Sequence, residues 1–410
     1  MTQGRDRILR GGAVLLIAWV SLIPYRFLVF EAPIGTIANY LPLLLATILT
    51  GVLIVFRGEI FLAVLRMDSL LGAIIAFVAA DLLAALGGVY GMHSLSRSVY
   101  YFATGPLIYW VLTCVFRRDE QVRVLLIMVS AFSGLAALYG ISEYASGGNW
   151  LFQSTLSITN PKMAVATGGA EFAGRILGTS GHPVAFGAFL LLSLPASLYL
   201  ASSRSPAQLL GALAAGSAVV AMVLTYSRGA WISLAIAAAV WALRRPQGMY
   251  RRTYIWRVLL VSVLIAAGGS AILTTRGMYT EFVEGFDQNP RALAYVHAAT
   301  LLPEHLVTGS GIGTFRWLGK PLGSRLDTTD SMFLTRLIES GVLGLATLLY
   351  LLQRLYACLA DSPRRKQLFL AVLLGVAVDM MTFDLLSWPA TRAWFWIQVA
   401  VGMGVVREQV

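Results

Sequence analysis

The stretch LTYSRGAWISLAIAAAVWAL, Leu224–Leu243, is apolar except near its start, where Arg228 follows Tyr226 and Ser227. A guanidinium near the hydrocarbon layer costs roughly 2.5–3.5 kcal/mol even on the lenient insertion scale, so Arg228 either lies at an interface or meets an anion. No acid stands next to it in the chain. A second set of charges begins at residue 276. Arg276, Arg291, Arg316, Lys320, Arg325 and Arg336 interleave there with Glu281, Glu284, Asp287, Glu304, Asp327 and Asp330. The spacing of Glu304, Asp327 and Asp330 matches no divalent-cation site, so neither a metal nor another cofactor is expected. The run Gly309-Ser310-Gly311-Ile312-Gly313 departs from the G-x-G-x-x-G fingerprint and has no strand before it, which leaves a tight turn below the next helix. Asp330 immediately precedes an apolar run from Met332, a place where aspartate often caps a helix. Arg336 lies within that run, in reach of Glu339 or Asp330 as an ion-pair partner. Arg175 and His182 flank the start of another apolar run, and Asp81, Asp379 and Asp384 are acids in or beside such runs with no evident partner.

The elements that carry these residues are membrane helices. Of the 410 residues, 58% are hydrophobic and 12% charged. A soluble protein carries about 25% charged residues, so the chain reads as an all-α polytopic membrane protein. Apolar runs of about 20 residues give about twelve candidate transmembrane helices, from Leu9–Phe30 to Ala393–Val406. One of them is Ser98–Phe116 and another Val258–Thr274; Gly229–Leu243 and the last are short. A net charge of +11 would suggest nucleic acid in a soluble protein. Here most basic residues, among them Arg5, Arg10, Arg57, Arg117, Arg118, Arg244, Arg251 and Arg364, fall on the side of the N-terminus. This is the positive-inside bias, which puts both termini in the cytoplasm and leaves no call for a nucleic-acid partner. Cys114 and Cys358 fall near that same side, where no disulfide is expected. Residues 1–410 read as a single integral membrane domain with two long periplasmic loops, 145–183 and 276–331. Long loops in compact proteins are usually functional, and the second carries the candidate site.

Five pieces, RILGTSGHPVAFGAFLLLSLP, TYSRGAWISLAIA, NPRALAYVHAA, LPEHLVTGSGIGTF and TTDSMFLTRLIESGVLGL, stand in the order found in a known family. Together they resemble the O-antigen ligase and O-antigen polymerase superfamily of bacterial envelope glycosyltransferases, over roughly the C-terminal 60% of the chain. The resemblance implies a glycosyltransferase C-type-like helical bundle in the bacterial inner membrane, active on its periplasmic face. It implies a donor glycan on undecaprenyl pyrophosphate, an acceptor glycan whose hydroxyl attacks the anomeric carbon, membrane lipid as surroundings and a chain-length regulator as a possible partner. It implies metal-independent transfer with inversion.

Within this resemblance Arg228 aligns with the arginine after the serine and Arg291 with the arginine that opens the loop helix. Both would face the departing pyrophosphate, whose developing charge fixed guanidinium groups stabilise. Arg175, His182, Tyr295, Arg316 and Arg336 are supporting candidates. Ligases of the superfamily carry a histidine just before the E-x-G-x-x-G helix. This chain has Thr329-Asp330-Ser331 there, closer to the polymerases. The T-D-x-x-F pattern is also similar to that of the peptidoglycan polymerases of the shape, elongation, division and sporulation family. Asp330 is therefore the expected catalytic residue, and polymerase is favoured over ligase. A lipid-linked oligosaccharide transporter is the reading from another class, but the paired broken helices and internal repeats of transporters are not evident.

Overall fold

A computed structural model of the chain describes residues 2–23, 34–149, 174–243, 290–318, 329–360 and 367–407. The candidate span Val258–Thr274, residues 150–173 of the first long loop, and residues 276–289 and 319–328 of the second lie outside these residues. Among the described residues the chain is helical throughout, with fourteen α-helices and no strand. In chain order they are α1 (Thr2–Leu22), α2 (Ile34–Met67), α3 (Leu71–Gly87), α4 (Gly91–Ala103), α5 (Pro106–Val115), α6 (Asp119–Ser146) and α7 (Pro183–Ala201). There follow α8 (Gln208–Leu224), α9 (Arg228–Leu243), α10 (Pro290–His305), α11 (Phe315–Leu318), α12 (Met332–Ala360), α13 (Gln367–Thr382) and α14 (Pro389–Arg407). Five stretches are long and apolar enough to cross a membrane, and four shorter apolar helices accompany them. This is the composition of a multi-pass membrane protein.

At the centre stands α7, flanked by α6, α8, α9, α13 and α14. It is apolar on every side, as a helix must be when other helices surround it. Small residues bring its neighbours close: the Gly211 Cα faces the backbone of Ser197–Ala201, and Gly187 lies against Ser227 and Ala230. Without a hydrophobic drive between helices in lipid, such close backbone approach is a main source of packing energy. Trp394, Trp396, Phe186 and Phe189 fill the remaining interior.

The expected span Ser98–Phe116 falls within Gly91–Val115, one of the five membrane-length stretches, but that stretch is two helices, α4 and α5, broken at Thr104-Gly105. Pro106 lacks an N–H and disfavours helical backbone in the residue before it, and the Trp396 indole fills the space a side chain at Gly105 would need. The last span, Ala393–Val406, lies within α14, a 19-residue helix that begins at Pro389 and is not among the five membrane-length stretches. By contrast α9 keeps the expected shortness, at 16 residues.

A second break sits inside α12. Gly341 has φ 66° and ψ −168°, a region essentially open only to glycine. The break frees carbonyls that α12 would otherwise bond itself, and the 309–313 glycine run takes them. Ser310 N–H donates to Ile338 O at 2.8 Å, Gly311 N–H to Glu339 O at 2.9 Å, and Val342 N–H to Leu306 O at 2.8 Å. The Glu339 side chain completes the clasp by accepting from Phe315 N–H at 3.3 Å. The run is thus the tight turn expected from its sequence, and the E-x-G pattern is its receptor. A Cβ on Gly341 would lie 2.2 Å from Val307 O. Gly341→Ala is therefore expected to cost at least about 1–3 kcal/mol, read as a lowered thermal midpoint in detergent. Gly216→Ala, in open space on α8, should be neutral or stabilising by up to about 1 kcal/mol. Equal effects at the two positions would contradict the clasp.

Candidate active site at one end of the bundle

The first turn of α12 is built by hydroxyls. Ser331 caps it, its Oγ accepting from Leu334 N–H at 3.5 Å, and the Thr329 Oγ1 accepts from Ser331 N–H at 3.2 Å. The expected cap, Asp330, is displaced from that role because it precedes the cap residue, at φ 52°. Asp330 is half-buried, whereas Thr329 and Ser331 on either side are buried. Thr329 and Thr335 share a hydroxyl hydrogen bond of 2.7 Å, and Thr335 donates to Asp384 Oδ2 at 3.1 Å. Asp384 lies in the turn between α13 and α14. Burial pushes its carboxyl up to about 6, against the pull of hydrogen bonds from Ser387 and Thr335 and of the Arg336 charge, with the Asp330 carboxylate pushing the same way as burial. The other oxygen, Oδ1, is buried without a hydrogen bond.

Arg336 does not pair with Glu339 or Asp330. It turns inward and forms an ion pair with Asp81 on α3, with Ser340 Oγ donating to the same carboxylate at 3.4 Å and the Phe77 ring 4.3 Å from its guanidinium carbon. The reason is steric placement. Arg336 and Ser340 share the α12 face that packs on α3, and both charges are almost wholly buried, so each needs the other. A second buried arginine, Arg392, escaped the sequence reading. It donates to Leu386 O at 2.8 Å and Thr104 Oγ1 at 3.0 Å, and lies 3.9 Å from the Tyr101 ring centre. The signal was present: a lone arginine in the aromatic run WPATRAWFW.

Arg228 begins α9 and is exposed, with no ion pair to a described residue. The turn before it is tight. Tyr226 has φ 50°, and Ser227 N–H donates to Thr225 Oγ1 at 3.1 Å. Arg175 closes this turn from the other side, its Nε donating to Thr225 O at 3.0 Å, while Ile176 N–H donates to Leu224 O at 3.2 Å. The next residue, Gly229, packs on α13, where a Cβ would come 2.7 Å from Thr382 Oγ1 and 2.9 Å from Asp379 Oδ1. Thr382 is two residues from Asp384. The Arg228 turn and the Asp330 turn therefore occupy the same end of the bundle, joined through the end of α13.

His182 heads α7 and stacks on Trp388, which also touches Phe383, ring centres 5.0 and 6.1 Å apart. It is thus a ring packed beside the same turn. Tyr295 is exposed on α10, a helix that packs on α12. The α10 backbone includes Arg291 in its first turn and the α11 backbone includes Arg316; the side chains of both lie outside the description. Among the described residues no three potential metal ligands cluster. Tyr226 and Asp330 are the two non-glycine residues at positive φ among those described. Tyr226 stands two residues before Arg228 and Asp330 is itself a candidate picked out by sequence; such outliers concentrate at functional sites.

A family model described as O-antigen ligase matches residues 212–349. The matched segment runs from α8 into α12 and holds Arg228, Arg291, the glycine run, Asp330 and Glu339. It supports the resemblance to the O-antigen ligase and polymerase superfamily. No curated protein matches the chain.

Two outcomes follow from the buried charges. Arg336→Met leaves Asp81 unpaired and should cost about 3–5 kcal/mol, while adding Asp81→Leu should recover most of it. A double-mutant cycle of thermal stability in detergent measures this, and a double variant as weak as the single would deny the pairing. Asp384 binds its proton more tightly in the fold than in the unfolded chain, where the carboxyl titrates near 3.8. Its contribution is fully present below about pH 4 and is lost as pH rises through about 6. Asp384→Asn should flatten that part of the stability profile; an unchanged slope would place the titration elsewhere.

Proposed function

We propose that the chain is a membrane glycosyltransferase that extends a polysaccharide, an O-antigen or exopolysaccharide polymerase. Its donor would be a glycan on undecaprenyl pyrophosphate and its acceptor a sugar hydroxyl of a second glycan. The reading places about twelve transmembrane helices in a bacterial inner membrane, both termini in the cytoplasm, the loops 145–183 and 276–331 outside, and a chain-length regulator among the partners. The observation that carries it is the joint placement of an exposed Arg228, with no ion pair to a described residue, and a half-buried Asp330 at one end of the bundle, each at or beside a left-handed backbone turn.

The chemistry follows from those two environments. A sugar hydroxyl is a poor nucleophile, and Asp330 takes its proton as oxygen bonds to the anomeric carbon, typically worth about 10²–10⁴ in rate. The bond to the pyrophosphate oxygen breaks on the opposite face, so the anomeric centre inverts. Arg228 and Arg291 meet the charge that develops on the leaving pyrophosphate. Asp384 is a weaker candidate for the base, because it is buried and one of its oxygens is already held by Thr335. Its charge instead sets the field around Asp330. The carboxylate and arginines suffice for a metal-independent transfer.

A second reading is a ligase that moves finished glycan to lipid A core or protein, and the description of the matching family favours it. Deleting the gene separates the two. A surface glycan cut to one repeat unit means polymerase; no surface-linked glycan with lipid-linked polymer accumulating means ligase. Within either, Asp330→Asn should abolish turnover while the donor still binds, and Asp384→Asn should retain more activity than Asp330→Asn. Arg228→Ala should lose about 10²–10³ in rate, with lysine rescuing only in part because it lacks the planar two-point contact. Turnover at the native rate by Asp330→Asn would move the base to another acid.

A further inference from the structure

Three oxygen–oxygen contacts run in a line from the turn of Asp384 to the turn of Asp330. Asp384 Oδ2 lies 3.1 Å from Thr335 Oγ1, Thr335 Oγ1 lies 2.7 Å from Thr329 Oγ1, and Thr329 Oγ1 lies 2.8 Å from Ser331 O. These are hydrogen-bond lengths, and oxygens this close repel unless a hydrogen stands between them. Three contacts therefore need three hydrogens. A threonine hydroxyl brings one and a backbone carbonyl none, so the two threonines supply two. Bulk water does not reach the line, since Thr329, Thr335 and Asp384 are 0%, 3% and 4% exposed. Nor does a water fit between oxygens already in contact. The third hydrogen belongs to Asp384 itself, as a carboxylic acid. Its O–H then donates to Thr335, Thr335 donates to Thr329, and Thr329 donates to Ser331 O.

The far end of this line holds the Asp330 turn. Thr329 Oγ1 accepts from Ser331 N–H at 3.2 Å and donates to Ser331 O, so one hydroxyl grips both backbone groups of the residue after Asp330. Asp330 sits at φ 52°, where a residue with a side chain needs such restraint. We propose that Asp384 is a positioning residue: in its acid form it supplies the third hydrogen and so holds the turn that presents Asp330. This role rests on Asp330 being the base of the transfer proposed above.

Ionisation of Asp384 removes that hydrogen. Thr335 then donates to the carboxylate, since a hydrogen bond to a charged acceptor is the stronger one. Thr329 is left with one hydrogen for two acceptors, Thr335 Oγ1 and Ser331 O, and either choice loosens the turn. The surroundings favour the acid. Burial pushes the Asp384 carboxyl up to about 6 and the Asp330 carboxylate acts in the same direction, against Ser387, Thr335 and the Arg336 charge. Glu339 of α12 and Tyr101 of α4 share the field of Asp384. On the other elements around the turn stand Asp379 of α13, His182 at the head of α7 and Arg392 of α14, the last donating to Leu386 O and Thr104 Oγ1.

Infrared difference spectroscopy of the full chain in detergent reads this proton directly. Wild type minus Asp384→Asn should show the carbonyl band of a protonated carboxyl at about pH 5, fading as pH rises through about 6. A carboxylate band in its place at about pH 5 overturns the proposal. Turnover gives the second reading. Asparagine keeps an N–H donor for Thr335 at every pH, so the ratio of wild-type to Asp384→Asn turnover should fall roughly two- to tenfold between about pH 5 and about pH 8. Taking the ratio cancels the titration of Asp330 itself, and a constant ratio overturns the proposal. Asp384→Leu, which has no donor, should be slow throughout. If that variant does not fold, Thr335→Val breaks the same line and should be slow, while Thr335→Ser restores the hydroxyl and the rate; equal rates for valine and serine count against the line. The band does not depend on the chain being a glycosyltransferase. Present in a chain without transferase activity, it upholds Asp384 as the third donor and overturns only the proposed function; absent from an active chain, it overturns this inference alone.

Discussion

The ion pair between Arg336 and Asp81 is the constraint on which the candidate site depends. In a membrane bundle a charge this deep in the interior cannot be left alone, and its partner's position becomes the position of everything attached to it. Arg336 belongs to the same short helical stretch as Ser331, Thr335 and Glu339. Fixing its guanidinium against α3 therefore fixes the rotation of the first turns of α12, and with it the direction in which Asp330 leaves the helix. The glycine clasp at Gly341 acts on the same stretch from below, so the segment is held at both ends while the remainder of α12 follows its own axis.

Around this anchor the polar groups are shared between architecture and chemistry. Thr335 links α12 to the α13–α14 turn through Asp384, and Arg392 links that turn to the α4–α5 break through Thr104. The helix breaks at Thr104-Gly105 and Gly341 are thus places where backbone gives way so that buried side chains can meet. Arg228, by contrast, makes no ion pair to a described residue. Arg336 and Arg392 are buried and held by partners on other helices, whereas Arg228 is exposed.

Much of this was legible in the sequence, and for identifiable reasons. Arg228 is visible because an arginine is costly in an apolar run, and Asp330 because it stands where a charged segment becomes a helix. The glycine run was readable as a turn because its spacing fits no nucleotide loop. The partner of Arg336 was not readable, since local spacing offers Glu339 and Asp330 while the true partner lies on another helix. Ser331 rather than Asp330 caps α12 because the turn of Asp330 ends one residue before the helix, a matter of backbone angle that residue type does not reveal. The α4–α5 break was hidden because hydropathy continues across it, and only Gly105-Pro106 hints at it.

The same ion pair has a consequence in time. Asp81 and Arg336 are 255 residues apart. At about 5–20 residues per second, α3 is made roughly 13 to 50 s before its partner leaves the ribosome. For that interval the growing chain carries a carboxylate on an apolar helix with nothing to neutralise it except a proton, water at the membrane surface or another protein. The contact between α3 and α12, and the candidate site it orients, is therefore settled only after residue 336 has been made, whatever order the other helices pack in.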